Sequence, residues 1–249
     1  MRLRWAFAAS AVTAIGLPLI VNGWKPLVSL GLLLAIWIVA TAILNLRDRI
    51  NNTSGQLSLM RKLRMQSRSY YGMQLAHLGV AVFIMGVTLV TGYQAEQDVR
   101  MLPGDTISLG GYDFRLNGVQ NVAGPNYRAV RAEMEISRGG NALRTMYPEK
   151  RSYLASGNAM TETAIDTGVF RDLYISLGEP VGNNAWSVRV HYKPFVSWIW
   201  GGAVLMALGG GLAVSDRRYA LAARRERLAR EPSRQETAPV LATASAEKP

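Results

Sequence analysis

Ser69–Tyr93 reads SYYGMQLAHLGVAVFIMGVTLVTGY, and the apolar run it opens, Tyr70 to Ala95, carries a single ionisable interruption, His77. About 20 consecutive apolar residues are needed to cross roughly 30 Å of hydrocarbon, so the stretch predicts a membrane span. Three further segments hold no charged residue: Trp5 to Trp24, Leu27 to Leu46 and Phe195 to Ser215. Four spans are therefore expected. A signal peptide has an apolar core of only about 7 to 15 residues, so the first segment reads as a retained helix.

The 249-residue chain is 49% hydrophobic, yet its mean hydropathy is +0.07. Its apolar residues must be clustered, with a polar domain elsewhere. The long segment Gln94–Lys193 holds 11 basic and 11 acidic residues and has no net charge. Apart from Lys25 in the short first loop, the excess of +11 falls beside the other ends of the spans, as Arg2 and Arg4, Arg47 to Arg68, and Arg217 to Arg230. Basic loops stay on the cytoplasmic side, which puts both termini there and the long segment outside. Such charge attracts anionic lipid, and the pI needs no nucleic acid to explain it. Without cysteine the chain can form no disulfide and carries no C-x-x-C-H haem attachment motif, so it is not a c-type cytochrome.

The expected organisation is two membrane helices (1–46), a basic cytoplasmic loop (47–69), the helix bearing His77 (70–95), an extracytoplasmic β domain (96–193), a fourth helix (194–216) and a basic tail (217–249). The tail is rich in Pro, Ala, Ser, Thr and Glu, and its composition predicts disorder. In the β domain, Ala132, Met134 and Ile136 alternate with Arg131, Glu133 and Glu135, the period of a strand with one buried face. Leu173, Ile175 and Leu177 repeat the pattern, as do Trp186, Val188, Val190 and Tyr192. Gly110-Gly111, Gly124-Pro125-Asn126, Gly139-Gly140-Asn141 and Gly182-Asn183-Asn184 mark turns between them. The fold class is thus a membrane α-helical bundle with an inserted small antiparallel β domain, an OB-like barrel or a sandwich.

An ionisable side chain inside a span is costly and marks a functional site by default. Neutral imidazole with a free nitrogen is a good axial ligand for haem iron. His77 could equally make an interhelical hydrogen bond, and position alone leaves both readings open. Gly72, Gly79 and Gly86, seven residues apart, form a stripe for close helix packing, and Gln74, Val80 and Ala81 lie on the other side with His77. Such a helix is expected to sit inside a bundle. Met73 reads as packing. His191 lies at the opposite membrane boundary, roughly 20 Å away across a core of about 30 Å, so the two histidines cannot share one iron. Sharing a strand face with Arg189, it reads as solvated. Trp198, Trp200 and Tyr192 match an interfacial aromatic belt.

The strings DVRMLPGDTISLGGYDFRLNGV, GPNYRAVRA, YPEKRSY, MTETAIDTGVFRDLYISLGEP and VRVHYKPFVSWIWGG, following the Ser69–Tyr93 stretch in order, resemble the C-terminal part of the CcmF family and its relative NrfE, the factor that matures nitrite reductase. The resemblance runs from Trp5 to about Tyr219. It implies a system I haem lyase subunit in the bacterial inner membrane, with residues 96–193 periplasmic. It also implies a haem b shared with an N-terminal CcmF part, one axial ligand being His77. Its implied partners are CcmH/CcmI-type subunits, haem-loaded CcmE and apocytochrome c. The family's tryptophan-rich segment and its other histidines have no counterpart here, and His191 inherits no role. A separately encoded C-terminal subunit or a piece of an interrupted gene is expected, inactive in ligation alone. Glu149, Lys150, Arg151, Glu162, Asp166, Arg171 and Asp172 fall in family motifs and are expected to dock partners, although ordinary ion pairs would also explain them. The rival reading is a non-haem scaffold that assembles partners through the β domain; a transporter fragment is disfavoured because no broken helix is present.

Overall fold

The computed structural model describes residues 2–21, 24–52, 58–155 and 157–216. The tail expected to be disordered lies outside the described residues. Helices α1 (Arg2–Val21), α2 (Pro26–Asn51), α3 (Leu59–Arg64) and α4 (Arg68–Tyr93) precede ten strands, and α5 (Val196–Val214) follows them. Helices α2, α4 and α5 are long and apolar enough to cross a membrane. Helix α1 is 20 residues long, and its described apolar stretch covers Leu3–Leu19. Helix α2 runs on past Leu46 because nothing in Arg47–Asn51 breaks a helix, and the long stems of Arg47 and Arg49 let their charges reach water. The basic loop also contains a helical turn of its own, α3.

Helices α4 and α5 pack along the glycine stripe. A Cβ added to Gly79 would lie 2.8 Å from the Gly202 carbonyl oxygen, and one added to Gly209 would lie 2.7 Å from that of Gly72. Backbone therefore lies directly on backbone, and only hydrogen fits between them. The other face of α4 meets α2. Tyr70 donates its hydroxyl to the Asn45 side-chain oxygen at 2.9 Å, and the Gln74 amide donates to the Ala42 carbonyl at 3.3 Å. Ser67 caps α4 by accepting from the Tyr70 amide at 3.2 Å.

The strands are β1 (Ala95–Met101), β2 (Thr106–Leu109), β3 (Tyr112–Ala123), β4 (Tyr127–Arg138), β5 (Asn141–Met146), β6 (Glu149–Tyr153), β7 (Ala159–Glu162), β8 (Ala164–Asp166), β9 (Arg171–Pro180) and β10 (Trp186–Pro194). They form a curled antiparallel sandwich of two sheets, ordered β1-β10-β9-β8 and β2-β3-β4-β6-β7, with β5 also paired to β4. The sandwich is the one of the two expected arrangements that forms. The twelve-residue β4 pairs with β6 along Tyr127–Arg131 and with β5 along Met134–Arg138, acting as the spine of its sheet. Between β7 and β8 the chain changes sheet at Thr163. The alternating positions read from the sequence are the core: Met134, Leu173, Ile175, Leu177 and Val188 are fully buried in one cluster with Phe114 and Leu116.

The two parts of the molecule are continuous. Only Gln94 separates α4 from β1, and only Phe195 separates β10 from α5. Strands β1 and β10 pair from Ala95↔Tyr192 onward, so the glycine-packed helix pair passes directly into a sheet. The β domain is therefore an extension of α4 and α5 rather than a module on a flexible linker.

Candidate functional site

The sequence placed a lone imidazole on α4, and the packing of that helix determines where it points. The glycine stripe is taken by α5, and Tyr70, Gln74 and the buried Ala81 lie toward α2. Met73, His77 and Val87 lie along α4 between these contacts, and all three are exposed among the described residues. Helix α4 itself packs between α2 and α5, as expected of a bundle helix. Among the described residues His77 faces outward, on a strip of α4 that its contacts with α2 and α5 leave uncovered.

The imidazole is nevertheless oriented. Its Nδ1 lies 2.8 Å from the Met73 carbonyl oxygen one turn earlier. A carbonyl can only accept, so Nδ1 carries the proton and the Nε2 lone pair of the neutral ring is free. Fixing the tautomer through the second nitrogen is how proteins prepare a histidine to ligate a metal. Around it the surface is apolar. Helix α4 begins at Arg68, so His77 lies about 13 Å along it, at 1.5 Å per residue.

The second histidine takes no part in this site. His191 lies on β10 opposite Glu96, just beyond the other end of α4, which places it more than about 20 Å from His77. It is partly covered rather than fully solvated, with Nδ1 3.4 Å from the Glu96 carboxylate and the ring edge-on to Tyr174. Burial lowers its pKa, against the opposing pull of Glu96. Arg189, on the same strand, makes a two-pronged bond with Asp98 at 2.6 and 2.7 Å.

The seven charged residues expected at a docking surface are tied into the β domain. Arg131 and Arg151 both donate to the buried Glu149, at 2.5 and 2.7 Å, and Arg151 lies 3.5 Å from Glu162. Lys150 pairs with Glu179 across to β9. Asp166 is held between Arg144 and Arg171, each at 2.5 Å, and Arg171 also donates to the Tyr112 hydroxyl at 3.1 Å. Asp172 accepts from the Gly168 amide at 3.0 Å and from the Tyr174 hydroxyl at 3.4 Å. Sequence reading missed Tyr112, which also lies under the Arg138 guanidinium. No local signal marks it, since its partners come from β4 and β9.

Glu149 yields a pH prediction. Burial alone would raise its pKa, but the hydrogen bonds from Arg151 and Arg131 outweigh that and hold it below its ordinary value of 4.5. A carboxylate depressed in the folded state contributes stability that is complete above the unfolded value and is lost as pH falls through the folded one. Thermal melting of the β domain should therefore drop below about pH 4.5, and Glu149→Gln should flatten that drop while lowering stability at neutral pH. Superimposable melting profiles for the two proteins across this range would remove Glu149 from the account.

Residues 92–194 match a family model described as the CcmF C-terminal β-sandwich. The chain is 47% identical over 212 residues to the cytochrome c-type biogenesis protein CcmF of Pseudomonas aeruginosa, covering 85% of this chain and 32% of that protein. Over 215 residues it is 42% identical to CcmF of Escherichia coli K12, covering 86% and 32%. Against NrfE of Haemophilus influenzae the identity is 34% over 158 residues, covering 64% and 25%. The chain thus spans about a third of the length of the curated CcmF proteins it matches. A solved structure of the cytochrome c heme lyase CcmF superposes with a TM-score of 0.65 at 20% identity, over 86% of this chain and 34% of that one, a likeness of fold.

Proposed function

Because this chain belongs to the CcmF/NrfE family of cytochrome c-type biogenesis proteins, corresponding to its C-terminal part, we propose that it supports the attachment of haem to apocytochrome c and supplies His77 as one axial ligand of a membrane haem b. The observation that carries the reading is the free Nε2 of His77 on an uncovered apolar face, with Nδ1 bonded to Met73. This donor suits haem iron, and no second histidine, cysteine or acidic cluster stands beside it among the described residues. The other axial ligand comes from the N-terminal part of a CcmF, in the same polypeptide or another. A porphyrin and the helices that enclose it would cover the face that α2 and α5 leave open. When bound, haem b supplies one-electron chemistry, with its potential set by axial ligation and burial. This chain's contribution is to hold the imidazole in one tautomer and at one depth.

In this reading both termini are cytoplasmic and the β domain is periplasmic, since the basic residues cluster beside the opposite ends of the spans. The β domain then meets haem-loaded CcmE, CcmH/CcmI-type subunits and apocytochrome c. The rims of the Glu149 and Asp166 networks, with Lys150, Glu162 and Asp172, are the docking residues. Being already paired, they offer a rigid pattern of charge rather than free charges.

The test is co-expression with the N-terminal part of a CcmF, followed by reduced-minus-oxidised spectra of the purified pair. Wild type should show a b-type haem signal, and His77→Ala should lose it while both proteins accumulate in the membrane at unchanged levels. A signal of full size in His77→Ala would overturn the ligand assignment and favour a scaffold that works through the β domain alone.

A further inference from the structure

The turn between β8 and β9, Thr167–Phe170, is fastened to the first turn of α5. The Phe195 amide donates to the Phe170 carbonyl at 3.0 Å, and the Ser197 hydroxyl donates to the Gly168 carbonyl at 2.7 Å. The Phe170 ring packs against Phe195 and Trp198, at centroid distances of 6.0 and 6.3 Å. Phe195 itself holds φ +58°, a left-handed conformation that a bulky residue rarely adopts. That bend carries the chain from β10 into α5 and brings the turn alongside.

These bonds fix the height of the turn. Helix α5 is of span length, so its first turn stands where hydrocarbon gives way to headgroups. The turn stands there too, yet Val169 and Phe170 are 65% and 62% exposed. Below them an open concavity of about 780 Å³ runs along α5, lined by Val82, Val169, Trp198, Val204 and Leu205 and free of charged side chains. The Gly168 amide and the Gly168 and Phe170 carbonyls are already paired within the protein. What the turn offers outward is mainly apolar side chain, with little hydrogen-bonding capacity for a specific protein partner to read. A lipid needs none.

We propose that the β8–β9 turn is a membrane wedge: Val169 and Phe170 enter the headgroup–acyl boundary of the leaflet on the β-domain side, and a phospholipid acyl chain fills the concavity beneath them. Amphipathic surfaces of this kind bury their apolar side chains about 5–10 Å below the headgroups. With the continuous α4–β1 and β10–α5 junctions, the wedge gives the β domain a third fixed point and sets its tilt on the bilayer.

The absence of cysteine makes the test direct, because one introduced thiol is a unique labelling site. Nitroxide is attached to Phe170→Cys, Val169→Cys and, as a control, Val181→Cys, in the full chain reconstituted into phosphatidylethanolamine–phosphatidylglycerol vesicles. Val181 is also apolar and exposed, but lies at the far end of β9, about 30 Å from the wedge. Collision with oxygen, which concentrates in lipid, and with a water-soluble nickel chelate is then measured. The wedge predicts oxygen access above the control and nickel access severalfold below it at positions 169 and 170. Nickel access equal to that at Val181 would place the turn in water, and exclusion of both reagents would place it under protein. Either result would overturn the proposal. The Val169 variant keeps the Phe170 ring contacts, so agreement between the two labels excludes a local disturbance.

Discussion

Gly209→Leu should break the α4–α5 pair, while Gly210→Leu, one residue further on, should leave it intact. A Cβ at Gly209 would lie 2.5 Å from the Ala76 amide nitrogen and 2.7 Å from the Gly72 carbonyl oxygen, whereas at Gly210 nothing stands within 4 Å. The obstructing atoms are backbone and cannot move aside like a flexible side chain. Overpacking a close-fitting interface costs about 1–3 kcal/mol where side chains can adjust, so a leucine against rigid backbone should cost more. Since α4 and α5 pass into β1 and β10, the damage should reach the β domain as well. Thermal melting of the full chain in mild detergent checks this: a large fall for Gly209→Leu with Gly210→Leu close to wild type is the expected result. Equal losses in the two variants would mean that the stripe is not a packing surface.

Phe114→Ala should cost the β domain about 3–5 kcal/mol, the range for truncating a buried phenylalanine. Phe114 is wholly buried in β3, on the inner face of one sheet and among residues such as Leu173 and Val188 of the other. A cavity there loses contacts with both sheets at once. Trp186 is the only tryptophan in residues 95–193, and it becomes a selective probe once the other five tryptophans of the chain are replaced by Phe. Urea denaturation followed by its fluorescence should show an earlier midpoint with an unchanged slope, the sign of lost stability in the same folded state. A midpoint within error of wild type would mean that the two sheets do not share one core.

The pattern of the β domain was legible because strand periodicity is local. Ala132, Met134 and Ile136 alternate in the sequence and are buried in the fold, since a strand sends successive side chains to opposite faces whatever its neighbours. The choice between barrel and sandwich was not legible. It depends on β4 sharing one edge between β5 and β6, and on the change of sheet at Thr163, both of which pair residues distant in sequence. The charged motif residues show the same limit. Glu149 beside Arg151 is visible in the sequence, but the contribution of Arg131 and the meeting of Arg144, Arg171 and Tyr112 at Asp166 need the folded sheets.

Sequence alone determined that the chain has long apolar helices, that a charge-balanced strand domain lies between two of them, that the net charge is gathered beside their opposite ends, and that α4 carries one histidine and a stripe of glycines. Each of these is a property of consecutive residues, set by composition or by the period of a single element. Only the tertiary structure decided that the stripe faces α5, that Tyr70 and Gln74 face α2, and that His77 is left on the remaining face with Nε2 free. A helix presents every face equally until its neighbours take some of them, and which neighbours arrive is a matter of packing that no single segment contains.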